Sequence, residues 1–160
     1  MSDNRHPQEG AGRPFPEMTW EQAVVWLKQQ PDRQALARDC YYDDPVEEAA
    51  RRFYAGREWQ SARRLLPRPR AGSRALDLGA GRGIASYALA RDGWEVTALE
   101  PDPSSIVGAG AIRRLAAGTG TPIAVVEEWG ERLPFPDARF DAVHARQVLH
   151  HARDLDRLCG

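Results

Sequence analysis

The hydrophobic and polar positions divide the chain into three regions with different periodicities. Residues 1–17 contain few apolar side chains among many Gly, Pro and polar residues, a composition typical of a disordered tail. Residues 18–70 have apolar positions at helical spacing, and residues 71–160 have short apolar runs that alternate with helical stretches. The pattern predicts a tail, a small α-helical segment and an α/β domain.

Three helices are predicted in the helical segment. The first starts at Thr19, where the sequence Thr19–Gln22 has the form of a capping box, and ends at Pro31. The second runs from Asp32 towards Cys40. The third has Asp44 as its N-cap and Pro45 at the first helical position, and its candidate buried face consists of Ala50, Phe53 and Tyr54.

The α/β region alternates apolar strands with helices. Strands are predicted over residues 75–78, 94–99, 123–127 and 140–145, and helices over 84–91, 104–117 and from 154 onward. Strands separated by helical crossovers form a parallel sheet with helices on both faces, and such sheets bind ligands at the carboxyl ends of their strands. The predicted fold class is therefore α/β, a Rossmann-like but incomplete parallel sheet of about four strands.

Composition limits the function classes. The chain has 160 residues, a formal net charge of −1 and a pI near 6.4, so neither nucleic acid nor an anionic membrane surface is an expected partner. Residues 51–74 hold eight Arg against one acid, Glu58, but no base-stacking motif accompanies them, which favours a solvated helix face and linker over an RNA or phosphate site. No apolar run approaches the roughly 18 residues of a membrane span.

The two cysteines and the amino terminus indicate a cytoplasmic protein. Cys40 and Cys159 lie far apart and match no disulfide or metal spacing. The first residues, MSDNRHPQEG, lack the apolar core of a secretory signal.

The turn after the first strand carries the candidate chemistry. Gly79, Gly81 and Gly83 lie between strand and helix, where glycine lets the backbone approach a ligand closely. A dinucleotide fingerprint needs Gly or Ala where this chain has Ile84. Asp77, two residues before the first glycine, would repel a pyrophosphate and suits a ligand with an ammonium group.

The acid at the end of the second strand further restricts the class of ligand that the turn can bind. Glu100 lies 17 residues after Gly83, where a carboxylate can accept hydrogen bonds from both ribose hydroxyls. A ligand with a ribose, an amino-acid ammonium and no phosphate is S-adenosylmethionine. The alternative interpretations are that Asp77 caps the turn and that Glu100 is a solvated loop acid.

Three motifs together resemble a known family. DLGAGRG at residues 77–83, LEPD at 99–102 and RLPFPDARFDAVHARQVLHH at 132–151 are similar to class I S-adenosylmethionine-dependent methyltransferases, in particular those of ubiquinone and menaquinone biosynthesis. The similarity covers about residues 74–160. It implies that the methionine end is held by Asp77, Gly79, Ala80, Gly81 and Gly83, the ribose by Glu100, and the adenine by Asp102 and Pro103. It further implies that residues near the methyl group include Ala145 and Arg146.

One position departs from this resemblance. Family members carry an Asp and a small residue just before the Leu-Pro-Phe segment, and the Asp accepts from the adenine amino group. This chain has Trp129 and Gly130 there. Gly130 still offers a backbone amide, Trp129 offers a ring for stacking, and Glu128 or Glu131 is the remaining candidate acceptor.

Methyl transfer is driven mainly by positioning two reactants, so a dedicated base is optional. The catalytic candidates are His150, His151 and Tyr42, for which packing or solvent exposure is the alternative interpretation. No metal is expected, because adjacent helical histidines point about 100° apart and no Cys or carboxylate stands at ligand spacing. A small-molecule acceptor is the expected partner.

Family members continue beyond the position of Gly160 with three more strands. We therefore expect this chain to be truncated or a fragment, unless a complementing chain or a dimer supplies the rest. Two other functions stay open: a non-catalytic S-adenosylmethionine-binding or interaction module, and a nicotinamide-dependent oxidoreductase.

Overall fold

A computed structural model describes residues 18–159 as a helical segment followed by a four-stranded parallel sheet. The predicted tail, residues 1–17, lies outside the described residues. The strands are β1 Arg74–Leu78, β2 Glu95–Leu99, β3 Ile123–Val126 and β4 Ala142–Ala145. Their order in the sheet is β3-β2-β1-β4, and all three pairings are parallel. The predicted α/β class is confirmed.

Seven α-helices accompany the sheet within residues 18–159. They are α1 Trp20–Gln29, α2 Gln34–Asp39, α3 Val46–Ala55, α4 Arg57–Ala62, α5 Ile84–Arg91, α6 Ala109–Thr119 and α7 Leu155–Cys159. Single 3-10 turns occur at Pro31–Arg33 and Leu149–His151. In this described part, no helix combines the length and the apolar character that a membrane crossing requires.

Several of these helices begin or end where local sequence signals predicted. Thr19 caps α1 through a complete capping box with Gln22, and Pro31 follows the end of the helix. Helix α5 has the predicted bounds. The break between α3 and α4 was not predicted; it occurs at Gly56, where a Cβ would lie 3.1 Å from the carbonyl oxygen of Arg52.

The predicted N-cap of α3 is wrong. Pro45, not Asp44, is the N-cap residue. The Asp44 carboxylate instead contacts Lys28 and accepts from the guanidinium of Arg82 at 2.5 Å. A buried guanidinium requires an anionic partner, and this requirement outweighs the local capping preference.

The predicted start of α6 at residue 104 is also wrong, because the helix begins at Ala109. Residues 102–105 fold back over the start of the helix. A Cβ on Gly108 would lie 2.0 Å from the Asp102 carbonyl oxygen, and one on Gly110 would lie 2.8 Å from the Ser105 Cα. The two glycines therefore allow a close approach of loop and helix.

The main core lies between one face of the sheet and helices α3 to α6. Phe53 and Trp59 are fully buried there and pack with their ring centroids 5.8 Å apart. The other buried members of this core are Val46, Ala50, Ala75, Ile84, Ala85, Tyr87, Ala88, Leu89, Trp94, Val96 and Leu115. This core packs the helical segment against the sheet.

The second face of the sheet is covered at its carboxyl end. Leu158 of α7 packs on Leu76, Leu78 and Leu99, whereas Val143 on β4 is 56% exposed. Within residues 18–159, β3 and β4 are the two edge strands. A complementing chain or a dimer at the β4 edge stays a prediction.

Candidate cofactor and acceptor site

A cavity of about 760 Å³ lies at the carboxyl ends of the four strands, where a parallel sheet is expected to bind ligands. The loops after all four strands and the loop between α2 and α3 form its walls. It brings together Tyr42, Asp77, Gly79, Ala80, Gly81, Glu100, Asp102, Trp129, Gly130, Arg146, His150 and His151. Three of the residues named from the sequence do not line it: Gly83, Pro103 and Ala145.

The three glycines of the turn all have left-handed backbones, with φ of +66°, +54° and +80°. Two of them are also closely packed: a Cβ on Gly79 would lie 2.3 Å from Val148 Cγ2, and one on Gly83 would lie 3.0 Å from Ile112 Cγ2. Gly83 serves as the N-cap of α5. By contrast, the nearest atom to a Cβ on Gly81 is the Val107 carbonyl oxygen at 3.9 Å. Gly81 therefore borders open space in the cavity.

Glu100 is buried and joins two loops of the cavity. Its Oε2 accepts from the Gly81 amide at 2.7 Å, and its Oε1 accepts from the Asp102 amide at 2.9 Å. Burial raises the pKa of Glu100, although both backbone amides act in the opposite direction. Each carboxylate oxygen keeps a free lone pair. Two further donors, such as the two hydroxyls of a ribose, can bind there.

Asp77 is 1% exposed and has two side-chain partners. Ser86 Oγ donates to Oδ2 at 2.6 Å, and His144 Nδ1 lies 2.9 Å from Oδ1. Sequence reasoning identified Asp77 but missed both partners. In the sequence, the only signal for His144 is its place in the predicted fourth strand. In the structure, this strand pairs with β1, and His144 is the register partner of Asp77.

Trp129 lies on the side of the cavity next to β3. The amide of Glu100 donates to Val126 at 3.0 Å, so the loops after β2 and β3 leave the sheet side by side. The Arg153 guanidinium stacks over the Trp129 ring, 4.9 Å from its centroid. Gly130 is required for packing, because a Cβ there would lie 2.4 Å from Leu158 Cδ1.

The two neighbouring acids already accept backbone hydrogen bonds. Glu128 accepts from the Trp129 amide and Glu131 accepts from the Arg153 amide, both at 2.8 Å. The bond from Arg153 is the main cause that lowers the pKa of Glu131. Both residues line the cavity together with Trp129.

Arg82 connects the glycine turn to the helical segment. It is 5% exposed and donates to the carbonyl oxygens of Tyr41 at 2.9 Å and Asp43 at 3.0 Å, in addition to Asp44. Its Nε has no hydrogen-bond partner within the described residues. Sequence reasoning treated this position as a spacer between glycines and missed all three partners.

Aromatic side chains from the helical segment form the wall opposite the sheet. Trp20 and Tyr42 meet edge to face with centroids 5.8 Å apart. Arg146 binds Glu58 through two hydrogen bonds, of 2.5 and 3.2 Å, and its guanidinium lies 5.5 Å from the Tyr41 ring centroid. Sequence reasoning named Arg146 here, and it named Tyr41 and Tyr42 as residues before a helix that could cover the site, with core packing as the alternative; it missed Trp20.

The catalytic candidates differ in what they can do chemically. Burial raises the pKa of the Tyr42 hydroxyl, so this group stays protonated at neutral pH and is a hydrogen-bond donor rather than a base. The rings of His150 and His151 lie against each other at the cavity wall, with centroids 3.9 Å apart and planes tilted by 42°.

Comparison with known proteins decides the family of this site. A family described as "Methyltransferase domain" matches residues 76–160, which is more than half of the chain. The chain belongs to this methyltransferase family. The match confirms the resemblance to class I S-adenosylmethionine-dependent methyltransferases and does not favour the oxidoreductase alternative.

Individual relatives of this methyltransferase domain cover similar parts of the chain. A ubiquinone biosynthesis O-methyltransferase from Methylocella silvestris is 42% identical over 100 residues, which are 61% of this chain and 38% of that protein. An uncharacterized methyltransferase from Mycobacterium sp. (strain JLS) is 34% identical over 102 residues, or 62% of this chain and 36% of that protein. The matched region thus spans less than two fifths of either relative.

Among solved structures, the YcgJ protein from Bacillus subtilis is similar. It aligns with a TM-score of 0.51 and 26% identity, over 56% of this chain and 37% of that protein.

Proposed function

We propose that this methyltransferase domain binds S-adenosylmethionine and that its sulfonium methyl group is transferred to a small-molecule acceptor. The observation that carries the proposal is the hydrogen bond between the Gly81 amide and the Glu100 carboxylate. It joins a glycine whose Cβ position borders open space to a buried acid with lone pairs for a ribose. This set of groups fits the cofactor, since it offers close backbone approach at Gly81 and the carboxylates of Asp77 and Glu100.

The order of the strands supports one orientation of the cofactor. Glu100 follows β2, so it would bind the ribose hydroxyls between the β1 and β3 sides of the cavity. The base would then lie towards the loop after β3, near Asp102, Pro103, Trp129 and Gly130. The methionine end would lie over β1, with its ammonium near Asp77, and the methyl group would point towards Arg146 and the loop after β4.

Trp129 is proposed to stack on the adenine ring. The Arg153 guanidinium lies over the Trp129 ring, and this cation–π contact would hold the ring in place. Glu128 and Glu131 would accept from the adenine amino group in place of the family's Asp.

The chemical step requires little from the protein beyond alignment. Bound in this cavity, S-adenosylmethionine would supply an electrophilic methyl carbon: the acceptor's nucleophilic atom would bond to it as the carbon–sulfur bond breaks to leave S-adenosylhomocysteine, and the acceptor would lose a proton. Holding the two reactants in line accounts for most of such a rate enhancement. His150 and His151 are the available proton acceptors, and Tyr42 would orient the acceptor by donating a hydrogen bond.

The curated relative from Methylocella silvestris is named for O-methylation in ubiquinone biosynthesis. We therefore place oxygen nucleophiles first among the acceptors to be tested. The aromatic wall of Trp20, Tyr41 and Tyr42 favours a planar acceptor, because ring faces and edges offer dispersion contacts to a flat molecule.

Titration calorimetry of the purified protein with S-adenosylmethionine, S-adenosylhomocysteine and NAD tests the proposal. We expect saturable binding of the first two and none of NAD. Glu100→Ala should weaken binding at least about tenfold, which is about 1.4 kcal/mol. Glu95→Ala, at the exposed start of the same strand, is the matched control and should bind as the wild type does. Binding of NAD alone, or equal affinity of the Glu100→Ala variant, would contradict the proposal.

A further inference from the structure

The Asp77 carboxylate is held by two side-chain partners, Ser86 and His144. Its side chain is 2% exposed and lies between β1, β4 and the first turn of α5. Ser86 is a neutral donor. A buried carboxylate is costly unless hydrogen bonds and a nearby cation compensate for it. Asp77 also forms part of the cavity wall, so a cation bound in the cavity can supply that compensation.

His144 fixes the other oxygen of this carboxylate from the neighbouring strand. Asp77 and His144 are direct register partners in the β1–β4 pairing. Because an ionised carboxylate only accepts hydrogen bonds, the imidazole proton in this contact is on Nδ1. His144 is thus the only side-chain donor to Oδ1 among the described residues.

The ring of His144 is itself held in place from the helical segment. Trp59 meets it edge to face, with centroids 5.9 Å apart and an interplanar angle of 69°. Trp59 is completely buried, and its Nε1 donates to Asp92 at 3.1 Å. Two contacts from different elements therefore set the direction of the imidazole.

We propose that His144 is a positioning residue for the cofactor's ammonium group. By donating to Oδ1 while Ser86 donates to Oδ2, it holds the carboxylate so that the lone pairs not used by these donors face the glycine turn. The ammonium of the bound cofactor then neutralises the buried charge. This inference rests on the proposed function, because it assigns Asp77 to the ammonium of S-adenosylmethionine.

The test compares two ligands that differ in the amino-acid part. S-adenosylhomocysteine carries the ammonium, and 5′-methylthioadenosine keeps the adenosine but lacks the amino-acid group. His144→Leu removes the donor, and His144→Asn retains an N–H near the position of Nδ1. Val143→Ala, on the opposite face of the same strand, is the control. Titration calorimetry gives the affinities, and circular dichroism reports whether each variant is folded.

We expect His144→Leu to weaken S-adenosylhomocysteine binding at least about tenfold and to leave the affinity for 5′-methylthioadenosine within about twofold. His144→Asn should recover most of the lost affinity. If His144→Leu does not fold, His144→Gln replaces it, since its amide reaches the position of Nε2 rather than Nδ1.

Three results would overturn the inference. They are an unchanged affinity for S-adenosylhomocysteine in His144→Leu, an equal loss for both ligands in a folded variant, and a His144→Asn variant as weak as His144→Leu. Failure of the proposed function is seen separately, in a wild-type protein that binds neither ligand.

Discussion

Gly81 has two requirements that a pair of alanine substitutions can separate: a left-handed backbone and open space for a ligand. Its φ is +54°, and the nearest atom to an added methyl group would be the Val107 carbonyl oxygen at 3.9 Å. Gly120, at the end of α6, has a similar φ of +65° with no atom within 4 Å of its Cβ position. It does not line the cavity. The two positions share the backbone strain and differ in the ligand space.

The expected magnitudes follow from this difference. Each change to alanine puts one non-glycine residue into the left-handed region, which costs about 1–2 kcal/mol of the free energy of unfolding. For a domain of this size, each kcal/mol lowers Tm by about 2–4 °C. Only Gly81→Ala places a methyl group where the cofactor is proposed to lie. We expect it to weaken S-adenosylhomocysteine binding at least about tenfold, or about 1.4 kcal/mol.

Thermal unfolding and titration calorimetry on both variants provide the assay. The melting temperatures of Gly81→Ala and Gly120→Ala should fall by similar amounts, and the Gly120→Ala variant should keep the wild-type affinity. Equal affinities in the two variants would refute the reasoning that the cofactor approaches the backbone at Gly81. A much larger loss of stability in Gly81→Ala would show that the space is needed for the fold itself.

Three further predictions concern stability and the helical segment. Burial raises the pKa of Glu100 above its ordinary value of 4.5. The contribution of Glu100 to the free energy of unfolding therefore falls as the pH rises from about 4.5 through the raised pKa. Glu100→Gln should remove this part of the pH dependence, which urea titrations at several pH values measure. Phe53→Ala should cost about 3–5 kcal/mol by urea unfolding, whereas Leu65→Ala, at an 88% exposed position, should stay within about 0.5 kcal/mol. Arg82→Met removes the hydrogen bonds to the Tyr41 and Asp43 carbonyl oxygens and should therefore accelerate amide hydrogen exchange over residues 41–44. Arg38→Met, at an exposed position, is the control. Unchanged exchange in Arg82→Met would show that these hydrogen bonds do not hold the segment in place.

The elements that sequence patterns predicted well are those whose signals are local. The helix over Ile84–Arg91 has the predicted bounds, and the capping box of Thr19 forms as expected. The predicted α6 began five residues early because its first turn is displaced by a loop that packs back at Gly108. Asp44 has the local pattern of an N-cap, but its carboxylate instead accepts a hydrogen bond from Arg82, which is distant in sequence.

In the candidate site, too, local signals were predicted from the sequence and long-range contacts were not. The glycine spacing and the acids Asp77 and Glu100 were readable from the sequence, since a turn between strand and helix brings them to one edge of the sheet. The pairing of Glu100 with the Gly81 amide was not readable, because it depends on how two separate loops meet.

The sequence by itself determined the alternation of strands and helices, the glycine turn and the family, because periodicity and turn chemistry act over a few residues. Only the tertiary structure decided the partners of the buried charges. His144 reaches Asp77 from 67 residues away, and Arg82 reaches the Tyr41 carbonyl from 41 residues away. Such contacts depend on which strands are neighbours and which helix packs over them. A one-dimensional pattern does not contain that information, whereas burial makes each unpaired charge costly enough to fix its partner once the fold has formed.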